Sequence, residues 1–262
     1  MEWPKNAEDH FNLGNLLWDQ GRYSEAEREF REAIRINPDF VEAHINLGVL
    51  MRDQGRYSEA EKEFREAIRI KPNLAEAHTN LGALFYIQGR YSEAEREFRE
   101  AIRINPGDAF AHNNLGNLLA DQRRFYEAER EYGEAIRIKP DYANAYYNLG
   151  YLLFEQGKFS EAEEKLRKAA ELNPDYAYTY YCLGNLFYAQ GRYAEAEEAY
   201  RKALRIKPDI GEACYNLGVL LVKQGRYKEA KAEFERAEKV FERDGRHGEA
   251  ENVRRLLRGL PR

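Results

Sequence analysis

The sequence predicts an all-α fold, a solenoid of seven helical hairpins followed by one capping helix. Three observations carry that expectation. Gln-Gly-Arg-Tyr-Ser-Glu-Ala-Glu begins at Gln20, Gln54 and Gln88, and prolines keep the same 34-residue period at Pro38, Pro72, Pro106, Pro140, Pro174 and Pro208. Within each period the residues at i, i+3, i+4 and i+7 (His44, Leu47, Gly48 and Met51, for example) form the inward stripe of an amphipathic helix. The chain of 262 residues is also polar for a compact globule of its length, with 33% charged residues and a mean hydropathy of −0.81. An elongated stack, with its high surface-to-volume ratio, accommodates such a composition.

With residues 1–6 as a lead, the units run 7–40, 41–74, 75–108, 109–142, 143–176, 177–210 and 211–244, and 245–262 form the cap. Trp3 is expected to fold over the first unit. Positions below are counted from 1 within a unit. Asp39, Asn73, Asp141, Asp175 and Asp209, at position 33, are expected to cap the next first helix, helix A. Gly at position 15 supplies the left-handed residue that ends helix A. Ser24/Glu27, Ser58/Glu61, Ser92/Glu95 and Ser160/Glu163 have the spacing of a capping box for the second helix, helix B. Proline at position 32 stops helix B. Gly at position 8 and Ala at positions 20 and 27 let the two helices approach closely.

Departures from the pattern are local. Arg123 replaces the turn glycine, which costs about 1 kcal/mol if φ stays positive. Tyr126, Ala194 and Lys228 replace the cap serine, and Leu166 replaces a phenylalanine. Glu242 stands where proline is expected, so the seventh helix B runs on. The tail reads as one more helix, with Val253, Leu256 and Leu257 on one side and Arg254, Arg255 and Arg258 on the other, a polar end for the stack.

Charge and composition exclude several classes. The net charge is −5, without an overall basic footprint for nucleic acid. No apolar run approaches the roughly 18 residues of a membrane span. The start lacks the basic and apolar regions of a signal peptide. Two cysteines, Cys182 and Cys214, make no disulfide framework, which favours a reducing, cytoplasmic location.

Leu13, Gly14, Tyr23, Ala26, Phe30, Ala33 and Pro38 in unit one, and Leu47, Gly48, Tyr57, Ala60, Phe64, Ala67 and Pro72 in unit two, carry a resemblance to the tetratricopeptide repeat family that spans residues 7–244. The resemblance implies a right-handed superhelix whose helices A line a concave groove with positions 2, 5, 6, 9, 12 and 13. Only Arg52 and Lys223 are basic at those positions in this chain. Position 6 is Asn12, Asn46, Asn80, Asn114, Asn148, Cys182 and Asn216, and Asn15, Asn117 and Asn185 stand at position 9. Asparagine is a poor interior helix former, but its amide both donates to and accepts from a peptide unit. Helices about 8–10 Å apart match roughly every third residue of an extended chain. The row is similar to the asparagine ladder in the repeat domain of protein O-GlcNAc transferases, which grips substrate backbone; the glycosyltransferase domain has no counterpart here. Bonding between adjacent helices is the alternative role for these amides.

The groove positions are polarised. Glu8, Asp19, Glu42, Asp53 and Glu76 lie in the first half, and Tyr147, Tyr151, Tyr181 and Tyr215 lead an aromatic second half. Such a groove fits an extended peptide with basic residues at one end and apolar or aromatic residues at the other. The co-chaperone members' carboxylate clamp is excluded, because position 5 is Phe11, Ile45, Thr79, Asn113, Tyr147, Tyr181 and Tyr215, never lysine. His10, His44, His78 and His112 recur once per hairpin and read as core residues, since metal ligands must converge within about 2 Å of one ion. No catalytic constellation, metal site or cofactor motif is legible. The expected function is non-enzymatic binding of an extended peptide or protein segment, without nucleic acid or membrane. The alternative is a self-assembling homo-oligomer, stacked through end faces or tail-in-groove contacts.

Overall fold

The computed structural model describes residues 5–261, all in helices or the turns between them; the expectation for Trp3 lies outside these residues. Two compact units divide the chain. Met1–Ile138 contains α1 (Ala7–Asp19), α2 (Tyr23–Ile36), α3 (Val41–Asp53), α4 (Tyr57–Ile70), α5 (Ala75–Ile87), α6 (Tyr91–Ile104), α7 (Ala109–Asp121) and α8 (Phe125–Ile138). Lys139–Arg262 contains α9 (Ala143–Glu155), α10 (Phe159–Leu172), α11 (Ala177–Ala189), α12 (Tyr193–Ile206), α13 (Gly211–Lys223), α14 (Tyr227–Arg243) and α15 (His247–Gly259). Each unit is a stack of antiparallel hairpins. α14 has 17 residues against the 14 of other helices B, consistent with the missing proline at Glu242.

Helix A ends as the sequence predicts. Gly21, Gly55, Gly89, Gly157, Gly191 and Gly225 have φ between 71° and 75°, and Arg123 is held at 62° in the same turn. The starts differ from expectation. Helix B begins at the tyrosine or phenylalanine after an arginine or lysine, so Ser24, Ser58, Ser92 and Ser160 lie inside the first turn and no capping box forms. Helix A begins one residue later than predicted. Its N-cap position falls on Phe40, Leu74, Tyr142, Tyr176 and Ile210, which leaves Asp39, Asn73, Asp141, Asp175 and Asp209 outside the capping position. Side-chain caps occur instead at Asn6, which accepts from the Asp9 N–H, and at Asp108, which accepts from Phe110 and Ala111. Elsewhere packing, rather than capping, fixes the helix start.

That packing centres on a ring against a glycine. A Cβ at Gly48 would lie 2.6 Å from the Phe64 ring, and the same crowding recurs at Gly14 with Phe30 and at Gly184 with Tyr200. Phe64 is fully buried, a gain of about 1.5–3 kcal/mol that a wider helix separation would forfeit.

Polar contacts then tie neighbouring hairpins. Arg56, at the N-cap position of α4, bonds Glu59 in the first turn of that helix at 2.7 Å and Glu27 of the preceding hairpin at 2.6 Å. Arg90 with Glu61 and Arg124 with Glu95 repeat the bridge in the first unit; Arg192 with Glu163 and Arg226 with Glu197 repeat it in the second. The recurrent histidines are buried or half-buried and paired. Nδ1 of His10, His44, His78 and His112 lies 2.6–2.8 Å from Glu29, Glu63, Glu97 and Glu131. Nε2 of His44, His78 and His112 faces the carbonyl of Pro38, Pro72 or Pro106 at 3.0–3.3 Å. The rings of His44, His78 and His112 therefore join helix B of their own hairpin to the preceding turn.

Candidate functional site

The face under consideration belongs to the helices A. In the first unit, Asn46 of α3 donates from Nδ2 to Oδ1 of Asn15 in α1 at 2.7 Å. In the second, Asn216 of α13 donates to Asn185 of α11 at 2.8 Å. Position 6 of one hairpin thus bonds position 9 of the hairpin before it. Where position 9 holds no amide, the bond is absent: Val49 precedes Asn80, and Asn80 turns back to the Glu76 carbonyl at 3.1 Å. Asn12 is exposed, and Asn114, Asn117 and Asn148 are partly exposed.

The ladder is therefore not a row of unengaged amides. Asn46 and Asn216 each use one N–H on a neighbouring helix, Asn80 uses one on its own, and Asn148 is engaged as well. The sixth rung, Cys182, is 2% exposed, and burial pushes its thiol pKa up to about 12. Cys214 is buried as well, its thiol raised to about 11 by burial, and both cysteines are free thiols. A single-helix wheel counts one partner helix; a stacked helix also meets its counterparts before and after it, and those contacts claim the amides.

Position 5 is a second correction. Ile45 is 3% exposed and Asn113 is 4% exposed, so this position lies in the seam between hairpins rather than on an open surface. Ile45 packs with Val41, Ala67 and Ala77. The tyrosines at position 5 are accordingly half-buried. Tyr147 meets Tyr176 edge-on at 5.2 Å, Tyr181 packs against Tyr200 at 6.3 Å, and Tyr215 packs against Phe234 at 5.9 Å. Burial raises the phenol pKa of Tyr147. Burial also raises that of Tyr181, and the Asn185 and Asn216 amides beside it partly offset the rise. Tyr151, at position 9, is the open ring: it is 48% exposed and stacks on Tyr147 at 6.5 Å.

The acids of the first unit, Glu8, Asp19, Glu42, Asp53 and Glu76, are all exposed. Asp53 is paired with its neighbour Arg52 at 2.9 Å. Glu8, Asp19, Glu42 and Glu76 have no ion-pair partner among the described residues, whereas nearly every glutamate of the helices B in this unit is bonded to arginine or histidine.

Sequence reasoning missed two hydroxyls. Tyr132 donates to Asn117 Oδ1, and Tyr200 donates to Asn185 Oδ1, each at 2.8 Å. The signal was present in the sequence: position 24 is tyrosine in repeats four and six, and both of those repeats have asparagine at position 9.

A family model described as the Cilia and flagella-associated protein 70 C-terminal domain matches residues 5–217, and a tetratricopeptide repeat model matches residues 187–251. The chain belongs to the tetratricopeptide repeat family. Repeat proteins of this family are scaffolds for contacts between proteins. A tetratricopeptide repeat protein from Parabacteroides merdae aligns with TM-score 0.68 and 20% identity over 96% of this chain and 97% of that one. PilF of Pseudomonas aeruginosa aligns with TM-score 0.69 and 20% identity over 77% and 92%. YrrB, described as a repeat protein with an unusual peptide-binding site, aligns with TM-score 0.54 and 23% identity over 70% and 95%. At these identities the likeness is one of fold. A search of curated protein sequences finds no match. No described helix is long and apolar enough to cross a membrane.

Proposed function

We propose that this chain is a non-enzymatic scaffold whose helix A face holds an extended peptide segment by its main chain. The observation that carries the reading is the Asn46–Asn15 rung. Its geometry uses one N–H of Asn46 and the oxygen of Asn15. The Asn15 N–H pair and the Asn46 oxygen have no partner among the described residues, and both side chains are partly exposed. A peptide unit carries one donor and one acceptor, so a rung with both kinds to spare is complementary to it. Each added bond contributes about 0.5–1.5 kcal/mol net, enough for useful affinity only when several act together.

Side-chain preference follows from the surroundings. The unpaired Glu8, Asp19, Glu42 and Glu76 favour a basic segment on the first unit, and Tyr151 with its stacked neighbour Tyr147 favours apolar or aromatic side chains on the second. The peptide-binding description of YrrB is in keeping with this reading.

Arrays of basic, acidic and aromatic peptides probed with the chain test it. Basic peptides should be retained over acidic ones, and Asn15→Ala with Asn46→Ala should weaken retention of every peptide held on the first unit. Equal retention of basic and acidic peptides removes the charge preference. Retention unchanged by the paired alanine variant removes the main-chain grip.

A further inference from the structure

We infer that Tyr200 is a positioning residue for ligand binding: its buried hydroxyl sets the orientation of the Asn185 amide. The inference rests on the peptide-holding reading above and deepens it. Tyr200 belongs to α12 and is 1% exposed, its ring lying against Gly184 beneath α11. Its hydroxyl donates to Asn185 Oδ1 at 2.8 Å, and Asn216 Nδ2 donates to the same oxygen at 2.8 Å. A carbonyl oxygen has two lone pairs and accepts both donors, whereas an amide nitrogen in that place would face the Asn216 N–H with a donor of its own. The two bonds therefore select one of the two amide orientations. The Asn185 N–H pair is left at the other end of the amide, where the Tyr181 hydroxyl engages it, and an amide with two N–H groups has a second one to offer an incoming peptide carbonyl. A preorganised donor loses less freedom on binding than a rotating one.

The sequence supports the pairing independently. Packing does not require the hydroxyl, because Phe30, Phe64, Phe98 and Phe234 fill the same position against Gly14, Gly48, Gly82 and Gly218. Tyrosine appears there only as Tyr132 and Tyr200, and both bond an asparagine at position 9. The other repeats with phenylalanine or leucine there carry Asn15, Val49, Ala83, Tyr151 and Val219 at position 9.

Tyr200→Phe in the full chain is the test, since phenylalanine keeps the ring. The first readout needs no ligand: nuclear magnetic resonance of the Asn185 side-chain amide. The wild-type amide should be rigid and the variant amide mobile, with an unchanged melting temperature. An equally rigid amide in the variant overturns the inference. The second readout is titration with a capped serine–glycine dodecapeptide, which offers main chain and almost no side chain. Tyr200→Phe should weaken its binding about three- to tenfold, and Asn185→Ala at least as much. Weakening by Asn185→Ala but not by Tyr200→Phe overturns the positioning role alone. If the dodecapeptide leaves the wild-type Asn185 and Asn216 signals unmoved, main-chain holding fails, and Tyr200 then has no ligand to position.

Discussion

His44 Nδ1 lies 2.6 Å from the Glu63 carboxylate while its Nε2 faces the Pro38 carbonyl at 3.0 Å. Both ring nitrogens face acceptors, so the arrangement is fully satisfied when the ring is an imidazolium. Burial opposes that charge at His44, but Glu63 and the Pro38 carbonyl outweigh it and the pKa is raised. At His78 the Glu97 bond is the largest cause of the same rise, and at His112 burial is again outweighed by Glu131. The second unit has Tyr146, Tyr180 and Cys214 in the equivalent places.

A pH dependence confined to the first unit follows. A histidine with a raised folded pKa stabilises fully below its unfolded value, about 6.5, and the contribution is lost as pH rises through the folded value. Trp18 lies in α1 with its ring 6.0 Å from that of Phe30, so tryptophan fluorescence reports this unit. The urea midpoint read by tryptophan should fall from mildly acidic to alkaline pH. A midpoint that rises over that range contradicts the assignment.

Arg123 is the one non-glycine residue with positive φ among those described, at 62°. Arg123→Gly should stabilise by about 1 kcal/mol, visible as a higher denaturant midpoint with an unchanged slope. The reverse change at the matching turn, Gly89→Ala, should destabilise by a similar amount.

Thr179 buries its hydroxyl, 1% exposed, without a hydrogen-bond partner among the described residues. The same position holds Ala43, Ala77, Ala111, Ala145 and Ala213 in other repeats. Thr179→Ala should raise stability by about 1 kcal/mol by removing an unsatisfied polar group, and calorimetry measures it.

Gly48→Ala would place a methyl group 2.6 Å from the Phe64 ring. The ring is fully buried between helices and has little room to retreat, so the variant should lose about 1–3 kcal/mol despite alanine's better helix propensity. A stabilised Gly48→Ala variant would mean that α3 and α4 separate easily.

Much of this architecture was legible in the residues. A period of 34 residues, one glycine at the end of each helix A and another under each aromatic ring are local or nearest-neighbour constraints, and local constraints are written in short stretches of chain. The helix starts were less legible. Serine at position 18 and aspartate at position 33 have the chemistry of caps, yet the backbone enters each helix one residue away from where those side chains are useful.

Composition and spacing alone determined that helical hairpins recur, that the amides and acids sit on helix A, and that the aromatic rings cluster later in the chain. Tertiary structure decided which of those groups remain available. Asn46 and Asn216 reach an amide 31 residues earlier, Arg56 reaches a carboxylate 29 residues earlier, and Tyr200 rises from beneath to meet Asn185. The physical reason is distance along the chain. A helical wheel records the direction a side chain leaves its own axis, while a bond to the next hairpin also depends on the spacing and tilt set by every ring packed between the helices.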